Sequence, residues 1–218
     1  MQKPTKSPIL WSRKSEDFLG IWRIFKHKMS FEIRRALAHI VLGVAILCIA
    51  YLFDEAKWIL FFALIFGLFL SLASLKFKIP VIHFFIEKFE KRQYLKTFPG
   101  KGILFFVAGC LIVLKLFSLQ IALASIAILT FGDSVSHLIG LIGRRQSFLD
   151  PTKNIEGTIA GILAATIFAS FFIPLLYALI ASVVAMLAET ISFKLEGDNV
   201  DDNLIIPLVA GTILYLFV

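Results

Sequence analysis

Charged residues are scarce in this chain of 218 amino acids, where they make up 17% of the total. A soluble domain of this size is about a quarter charged and about half apolar. Here 59% of the residues are hydrophobic, the mean hydropathy is +0.88, and the apolar residues come in long blocks. The composition therefore excludes an ordinary soluble domain and predicts an integral membrane protein.

Cysteine is also nearly absent, since the chain has only Cys48 and Cys110. Both fall within apolar blocks, so we interpret them as small buried hydrophobic side chains and predict no disulfide or cysteine metal site. The sequence lacks the motifs GxxxxGK[ST], GxGxxG, HExxH and GxSxG, as well as the EF-hand spacing. These absences exclude the usual soluble kinase, hydrolase and calcium sites.

The basic residues flank apolar segments, so the formal net charge of +7 is explained by membrane orientation and anionic lipid headgroups, and no nucleic-acid partner is predicted. Seven apolar segments approach the roughly 20 residues that cross a bilayer. They lie at residues 36–53, 58–75, 102–118, 119–142, 157–174, 175–192 and 204–218. The predicted fold is an all-α, polytopic membrane helix bundle of about seven transmembrane helices.

Residues 1–30 are basic, with interleaved Trp, Phe and Ile. This pattern favours an amphipathic helix in the membrane interface, with a solvated basic tail as the alternative. Residues 31–218 are then the membrane-embedded domain, in which residues 79–90 are too polar to span and are expected on the surface. With a cytosolic N-terminus, 20 of the 22 Lys and Arg lie on the inner side and only Lys57 and Lys115 on the outer side, in agreement with the positive-inside rule.

One acidic residue, Asp133, interrupts the fourth apolar segment. A carboxylate there costs roughly 2.5–3.5 kcal/mol on insertion scales, which indicates a functional use. The polar loop that follows contains Arg144, Arg145, Asp150, Lys153, Asn154 and Glu156. Asn154 can cap the next helix, whose N-terminus attracts phosphate together with Lys153. Asp133 and Glu156 are hard oxygen donors of the kind that bind Mg²⁺, whereas Gly161 is expected to serve helix packing.

Two further polar clusters lie at the cytosolic ends of other segments. Glu32, Arg35 and His39 share one helix face. The arginines of this region also fit a positive-inside flank, but His39 lies one turn inside the apolar segment, where an ionisable group indicates function. The third cluster consists of Glu189, Glu196, Asp198, Asp201, Asp202 and Asn203. Its last two residues abut the final apolar segment and can point into the bundle.

Together the three clusters resemble the polyprenol kinase family, which includes dolichol, phytol and farnesol kinases. GDSVSHLIG followed by KNIEGTIAG resembles the family motifs GD-x-x-A-x-x-x-G and K-[ST]-x-E-G-[ST]. EIRRALAHIVLG resembles E-x-x-R-K-x-x-H, and DDNLIIPLVAG resembles D-N-L-[TI]-x-P-L. The motifs occur in order over residues 32–216. Ser136, His137 and Asn154 depart from the residues that the family prefers, and Asn154 replaces a hydroxyl.

The resemblance implies transfer of the terminal phosphate of CTP to the hydroxyl of an isoprenoid lipid alcohol, with Mg²⁺. It implies that Asp133 and Asp202 are catalytic bases or metal ligands, that Glu156 contacts metal or ribose, and that His39 lies near the lipid hydroxyl. The implied contacts of the nucleotide and its phosphates are Lys153, Arg144, Arg145, Asn154, Glu156, Arg35 and Asn203.

Two other functions remain open. A cytidylyltransferase that makes a CDP-lipid would share the nucleotide and the membrane setting, but it would release pyrophosphate where a kinase releases CDP. A non-enzymatic ion or solute transporter would use Asp133 and His39 as an ion relay, although the polar residues cluster on one side only. The short chain without a retention signal favours a prokaryotic plasma membrane over the endoplasmic reticulum.

Overall fold

The structure is a computed structural model that describes residues 9–77, 88, 97–147, 153–191, 194–195 and 198–217. For residues 9–28, 194–195 and 198–199 it describes the backbone alone. The surface segment expected at residues 79–90 lies, apart from residue 88, outside the described residues.

Helices make up nearly all of the described chain. The first three are α1 (Ile9–Leu52), α2 (Ala56–Lys76) and α3 (Lys101–Leu116). A continuous helical rod follows, composed of α4 (Leu119–Ala127), a π-helical segment (Ile128–Asp133) and α5 (Ser134–Gly140). The last three are α6 (Ile155–Ala169), α7 (Leu175–Glu189) and α8 (Asp202–Phe217). The two-residue strands β1 (Lys194–Leu195) and β2 (Asp198–Asn199) pair antiparallel before α8. The predicted helical fold class is confirmed.

Three helices in the described chain are long and apolar enough to cross a membrane. They are Met29–Leu52, Ala56–Lys76 and Leu119–Gly140, with mean hydropathies of 2.1, 2.4 and 1.5. The apolar helices α6, α7 and α8 have 15, 15 and 16 residues. At 1.5 Å per residue each covers roughly 23 Å, which is less than the ~30 Å hydrocarbon core. The prediction of a membrane protein is supported by the three helices of spanning length.

Helix α1 joins the basic N-terminal segment to the first apolar segment without a break. A separate interfacial helix over residues 1–30 was the expectation from sequence, and the structure instead has one helix that covers Ile9–Leu52. The side chains of residues 9–28 lie outside the described part, so an interfacial position for them stays a prediction.

The rod Leu119–Gly140 forms the centre of the bundle. It contacts α1, α3, α6, α7 and α8, and Ile126, Ile128 and Leu129 are fully buried. A helix that is apolar on all sides is expected to be enclosed in this way. By contrast, α2 turns large side chains such as Phe62 outward, as a helix facing lipid would.

The burial of the two cysteines differs. Cys110 is buried on α3 as predicted, but Cys48 is exposed on α1, so the prediction of a buried Cys48 is wrong. An apolar residue in a spanning segment lies equally well against lipid or against protein. The side that it faces depends on its position around the helix axis. The location of a residue within an apolar block does not define that position.

The π-helical segment approaches α1 closely at Gly43. A Cβ atom added to Gly43 would lie 2.1 Å from Oγ1 of Thr130, so only glycine fits there. Thr130 is held in place because its hydroxyl donates to the Ile126 carbonyl at 2.7 Å. His39 precedes Gly43 by one turn and Asp133 follows Thr130 by three residues. The close approach therefore also brings His39 and Asp133 onto adjoining faces.

Glycines also bring α6 against the rod. A Cβ atom on Gly157 would lie 2.6 Å from the Ser136 carbonyl oxygen, and one on Gly161 would lie 2.8 Å from the Gly132 carbonyl oxygen. Small residues four apart on a membrane helix permit such backbone approach. The packing role predicted for Gly161 is confirmed.

The substitution Gly43→Ala is expected to destabilise the protein by about 1–3 kcal/mol, the usual cost of overpacking a tight contact. Thr130 is short, β-branched and buried, so it has no alternative position. Unfolding in mixed detergent micelles, followed by circular dichroism, measures the loss.

The matched control is Gly140→Ala, because no atom lies within 4 Å of a Cβ atom added there. That variant should be as stable as the wild type or slightly more stable, since alanine favours the helix. Equal effects of the two substitutions would contradict the contact between α1 and the π-helical segment.

Candidate functional site

Asp133 lies at the centre of a buried polar cluster. Its Oδ1 is 3.2 Å from Nε2 of His137, one turn further along the rod, and its Oδ2 is 3.7 Å from Nδ1 of His39 on α1. The His39 ring packs against Phe106 of α3, with the ring centroids 5.3 Å apart. Asp133 and His39 are only 4% and 6% exposed. The carboxylate is thus held between two imidazoles from different helices, which offsets part of its cost in an apolar environment.

A second buried carboxylate belongs to Glu189, the last residue of α7, which is 3% exposed. Potential ligand atoms of Asp133, His137 and Glu189 all lie within 4.8 Å of one another. Within the described part of the chain, Oε2 of Glu189 is buried and has no hydrogen-bond partner. An unpaired buried oxygen of this kind is costly, and a bound cation would supply the missing interaction.

Lys153 connects this cluster to the last helix. Its Nζ lies 3.0 Å from Oε1 of Glu189 and 3.1 Å from Oδ2 of Asp202, and it also donates to the backbone carbonyl of Glu189. Burial lowers the pKa of the Lys153 ammonium, but the charges of Glu189 and Asp202 together raise that pKa above its ordinary value. The lysine is therefore protonated at neutral pH, and one cation joins the loop, α7 and α8.

The loop between α5 and α6 is closed at its base by hydrogen bonds. The Glu156 carboxylate accepts from the backbone N–H groups of Arg144 and Arg145 at 3.3 and 3.2 Å. The Arg145 carbonyl accepts from the N–H of Ile155 at 3.0 Å. Both arginine side chains are exposed, whereas Asp150 lies outside the described residues. The loop therefore presents two exposed cationic groups, of which Arg145 lies within electrostatic reach of Glu156.

The predicted capping role of Asn154 is wrong. It occupies the residue before α6, but its side chain makes no capping hydrogen bond. Its Nδ2 instead donates to the carbonyl oxygen of Gly140, the last residue of α5. A carbonyl at a helix C-terminus has no partner within its own helix, and the Asn154 amide supplies that partner for α5. The side-chain oxygen of Asn154 accepts no hydrogen bond from the N–H groups at the start of α6.

The three clusters meet at one end of the bundle, although the pairs within them differ from those predicted. The metal ligand set predicted from sequence was Asp133, Glu156 and Asp202. The structure groups Asp133 with His137 and Glu189, places Asp202 on Lys153, and places Glu156 on the loop backbone. The Glu156 carboxylate accepts hydrogen bonds from two backbone N–H groups. These bonds hold it on the loop and away from the group of Asp133, His137 and Glu189.

The remaining residues predicted for nucleotide binding support neighbouring groups. Arg35 pairs with Glu32 on α1 at 3.1 Å and lies within electrostatic reach of His137. Asn203 donates to Oδ1 of Asp201 at 2.8 Å and to the carbonyl of Gly102 at 3.4 Å. Asn203 thereby fixes the start of α8 against α3.

Sequence reasoning assigned no role to His137 or Glu189. His137 differs from the small residue expected in the motif, and its spacing of four from Asp133 was the available signal, since such residues share a helix face. Glu189 is an acid at the end of an apolar segment, which indicates function. The contact of Glu189 with this group becomes visible only once α7 is packed against the rod.

The cluster combines three carboxylates, two imidazoles and one ammonium in a mostly buried volume. Ligand atoms of Asp133 and Glu189 lie within 4.8 Å of each other and of His137, and Asp202 is within electrostatic reach of Asp133. Like charges at such distances repel, and a bound cation would reduce that repulsion. The arrangement can hold a divalent cation beside a protonated lysine.

Replacing Lys153 by Met is expected to destabilise the protein by about 3 kcal/mol, because it leaves the buried carboxylate of Glu189 without its counter-charge. The double variant Lys153→Met/Glu189→Gln should recover most of this loss. Thermal unfolding in detergent micelles measures these two variants and the single variant Glu189→Gln.

Lys76→Met serves as the control, because Lys76 is exposed at the end of α2, and its effect should be close to zero. If the double variant were as unstable as the sum of the two single variants, Lys153 and Glu189 would not interact.

Comparisons with known proteins give no counterpart: no family model, no curated protein and no solved structure matches this chain. The resemblance of its three motifs to the polyprenol kinases accordingly stays a prediction that depends on the quoted residues.

Proposed function

We propose that this protein is a CTP-dependent kinase that phosphorylates the hydroxyl of an isoprenoid lipid alcohol. The observation that carries the proposal is the group formed by the buried Asp133 and Glu189 with the half-buried His137, to which Lys153 is paired through Glu189. Such a group combines candidate ligands for a metal ion with a cationic side chain for phosphate. Phosphoryl transfer depends on both, since they position the phosphate and neutralise its charge. The motif resemblance supplies the nucleotide and the class of acceptor.

The proposed setting is a multi-pass protein of about seven spans with a cytosolic N-terminus, favoured in a prokaryotic plasma membrane. The seven predicted apolar segments coincide with α1, α2, α3, the rod, α6, α7 and α8. The distribution of Lys and Arg supports the orientation. It puts the cluster at the inner end of the bundle, where a soluble nucleotide and the hydroxyl end of a membrane lipid can meet.

The donor set fits a divalent cation. Asp133 and Glu189 offer the carboxylate oxygens that Mg²⁺ prefers, and His137 adds an imidazole nitrogen, a donor that also suits softer metals. When bound, Mg²⁺ would neutralise charge on the phosphate oxygens. In this proposal Asp133, His137 and Glu189 hold the cation, and Glu156 orders the loop.

Lys153, Arg144 and Arg145 contact the phosphates in the proposed complex. Lys153 is protonated and pre-oriented by Glu189 and Asp202, and the two arginine side chains extend from the loop beside it. Arginine forks bind phosphate oxygens in pairs, whereas lysine acts as a point charge. Together the three groups position the nucleotide with its terminal phosphate toward Asp133.

In this proposal His39 acts on the lipid alcohol. In the proposed step the alcohol oxygen forms a bond to the terminal phosphorus, and the bond from that phosphorus to its bridging oxygen breaks, which releases CDP. The proton of the hydroxyl passes to the imidazole of His39, whose Nδ1 faces Asp133. A carboxylate behind the imidazole stabilises the protonated ring.

The substitution Asp133→Asn is expected to reduce phosphate transfer at least about a hundredfold, the scale of losing one charged group at a phosphoryl-transfer site. Purified protein in liposomes is incubated with Mg²⁺, γ-labelled CTP and an isoprenoid alcohol. The lipid phosphate and the released nucleotide are then measured.

Asp54→Asn is the matched control, because it makes the same chemical change in the exposed loop after α1, and it should retain full activity. Formation of CDP-lipid and pyrophosphate by the wild type would establish a cytidylyltransferase instead. The absence of any nucleotide turnover with a panel of lipid alcohols would overturn the enzyme proposal.

A further inference from the structure

A groove lies between α2 and α3 at the end of the bundle away from Asp133. Helix α3 starts beside the cluster, because the carbonyl of Gly102 accepts from Asn203. Lys115 is in the last turn of the same helix, roughly 20 Å further along at 1.5 Å per residue. Trp58, in the first turn of α2, lies next to it. The groove is therefore in the opposite leaflet from the cluster.

The walls of the groove are apolar and its end is cationic. It has a volume of about 520 Å³ and is lined by Trp58, Phe61, Leu111 and Ile112, together with the two lysines Lys57 and Lys115. This volume lies within the range of about 300–1,000 Å³ that is typical of ligand sites. The Lys115 ammonium is 5.5 Å from the centroid of the Trp58 ring, which holds the lysine over the groove.

Neither lysine forms an ion pair with an acidic side chain in the part of the chain that the structure describes. The nearby acids Asp54 and Glu55 are exposed in the turn before α2. Lys57 and Lys115 are also the two basic residues that the sequence assigns to this side of the membrane. The two lysines beside a tryptophan suit the phosphate of a lipid headgroup. The apolar part of the groove suits an acyl chain.

We propose that this groove binds one anionic phospholipid of the leaflet opposite the cluster. The phosphate lies between the ammonium groups of Lys57 and Lys115, and one acyl chain follows Phe61 and Leu111 toward the centre of the bilayer. A zwitterionic lipid binds less well because its own cation competes with the lysines. The proposal is independent of the kinase function, since the groove shares no residue with the cluster.

Native mass spectrometry of the purified, delipidated protein tests the site. Phosphatidylglycerol or phosphatidylcholine with identical acyl chains is added back, and the fraction carrying one lipid is titrated. The wild type should bind phosphatidylglycerol more tightly. The variant Lys57→Gln/Lys115→Gln should lose about 30-fold in that affinity, since each basic residue near an anionic headgroup contributes about fivefold, while its affinity for phosphatidylcholine stays unchanged.

The matched control is Lys76→Gln, which removes the same charge from the other end of α2 and should leave the affinity for phosphatidylglycerol unchanged. Equal binding of the two lipids by the wild type, or an equal loss in the control, would overturn the site. The same spectra report oligomers. A dimer that disappears in the double lysine variant would make the groove an interface between copies and would also overturn the proposal.

Discussion

The constraint on which the structure depends is the burial of the Asp133 carboxylate inside an apolar bundle. In such surroundings an ionised group must be given partners or lose its charge. The chain supplies two partners: His137 lies one turn along the same rod, and His39 comes from α1. In the proposed complex, a metal ion shared with Glu189 would be a third. The contact with His39 needs the close approach of α1 to the rod that Gly43 permits, and Gly157 and Gly161 bring α6 against the same rod.

The polar end of the bundle divides into two halves around Glu189. One half consists of Asp133, His137 and the free oxygen of Glu189, and it is rich in negative charge. The other half is Lys153, held by Glu189 and Asp202, with the arginines of the loop beside it. A metal–triphosphate complex has the same division, with a cation next to a chain of anionic oxygens. Glu189 is thus the residue that connects both halves.

Much of this arrangement could be predicted from the sequence because the membrane restricts the possibilities. An apolar segment of about 20 residues must form a helix, so each of the seven segments overlaps a helix, although α1 begins at Ile9, well before residue 36. The cost of Asp133 in such a segment singled it out as a candidate functional residue. The convergence of three polar clusters followed from their common position at one end of the segments.

The individual side-chain contacts depend on tertiary packing and could not be predicted from the sequence. The π-helical segment arises where Thr130 and Asp133 meet α1, and no local sequence preference defines it. Glu156 and Asn154 had plausible roles as ligand and cap. Both instead complete backbone hydrogen bonds of the loop and of α5, because the loop folds back to pair residues eleven to fourteen positions apart. The exposure of Cys48 similarly reflects helix phase.

The most direct test of the central claim is pulsed electron paramagnetic resonance of Mn²⁺ in place of Mg²⁺, bound to the purified protein with CTP. If Asp133, His137 and Glu189 hold the cation against the nucleotide, one spectrum will show both phosphorus coupling from CTP and nitrogen coupling from histidine. The nitrogen coupling will disappear in His137→Gln. Phosphorus coupling without any histidine nitrogen in the wild type would show that the cation binds the nucleotide away from this cluster, and it would contradict the account.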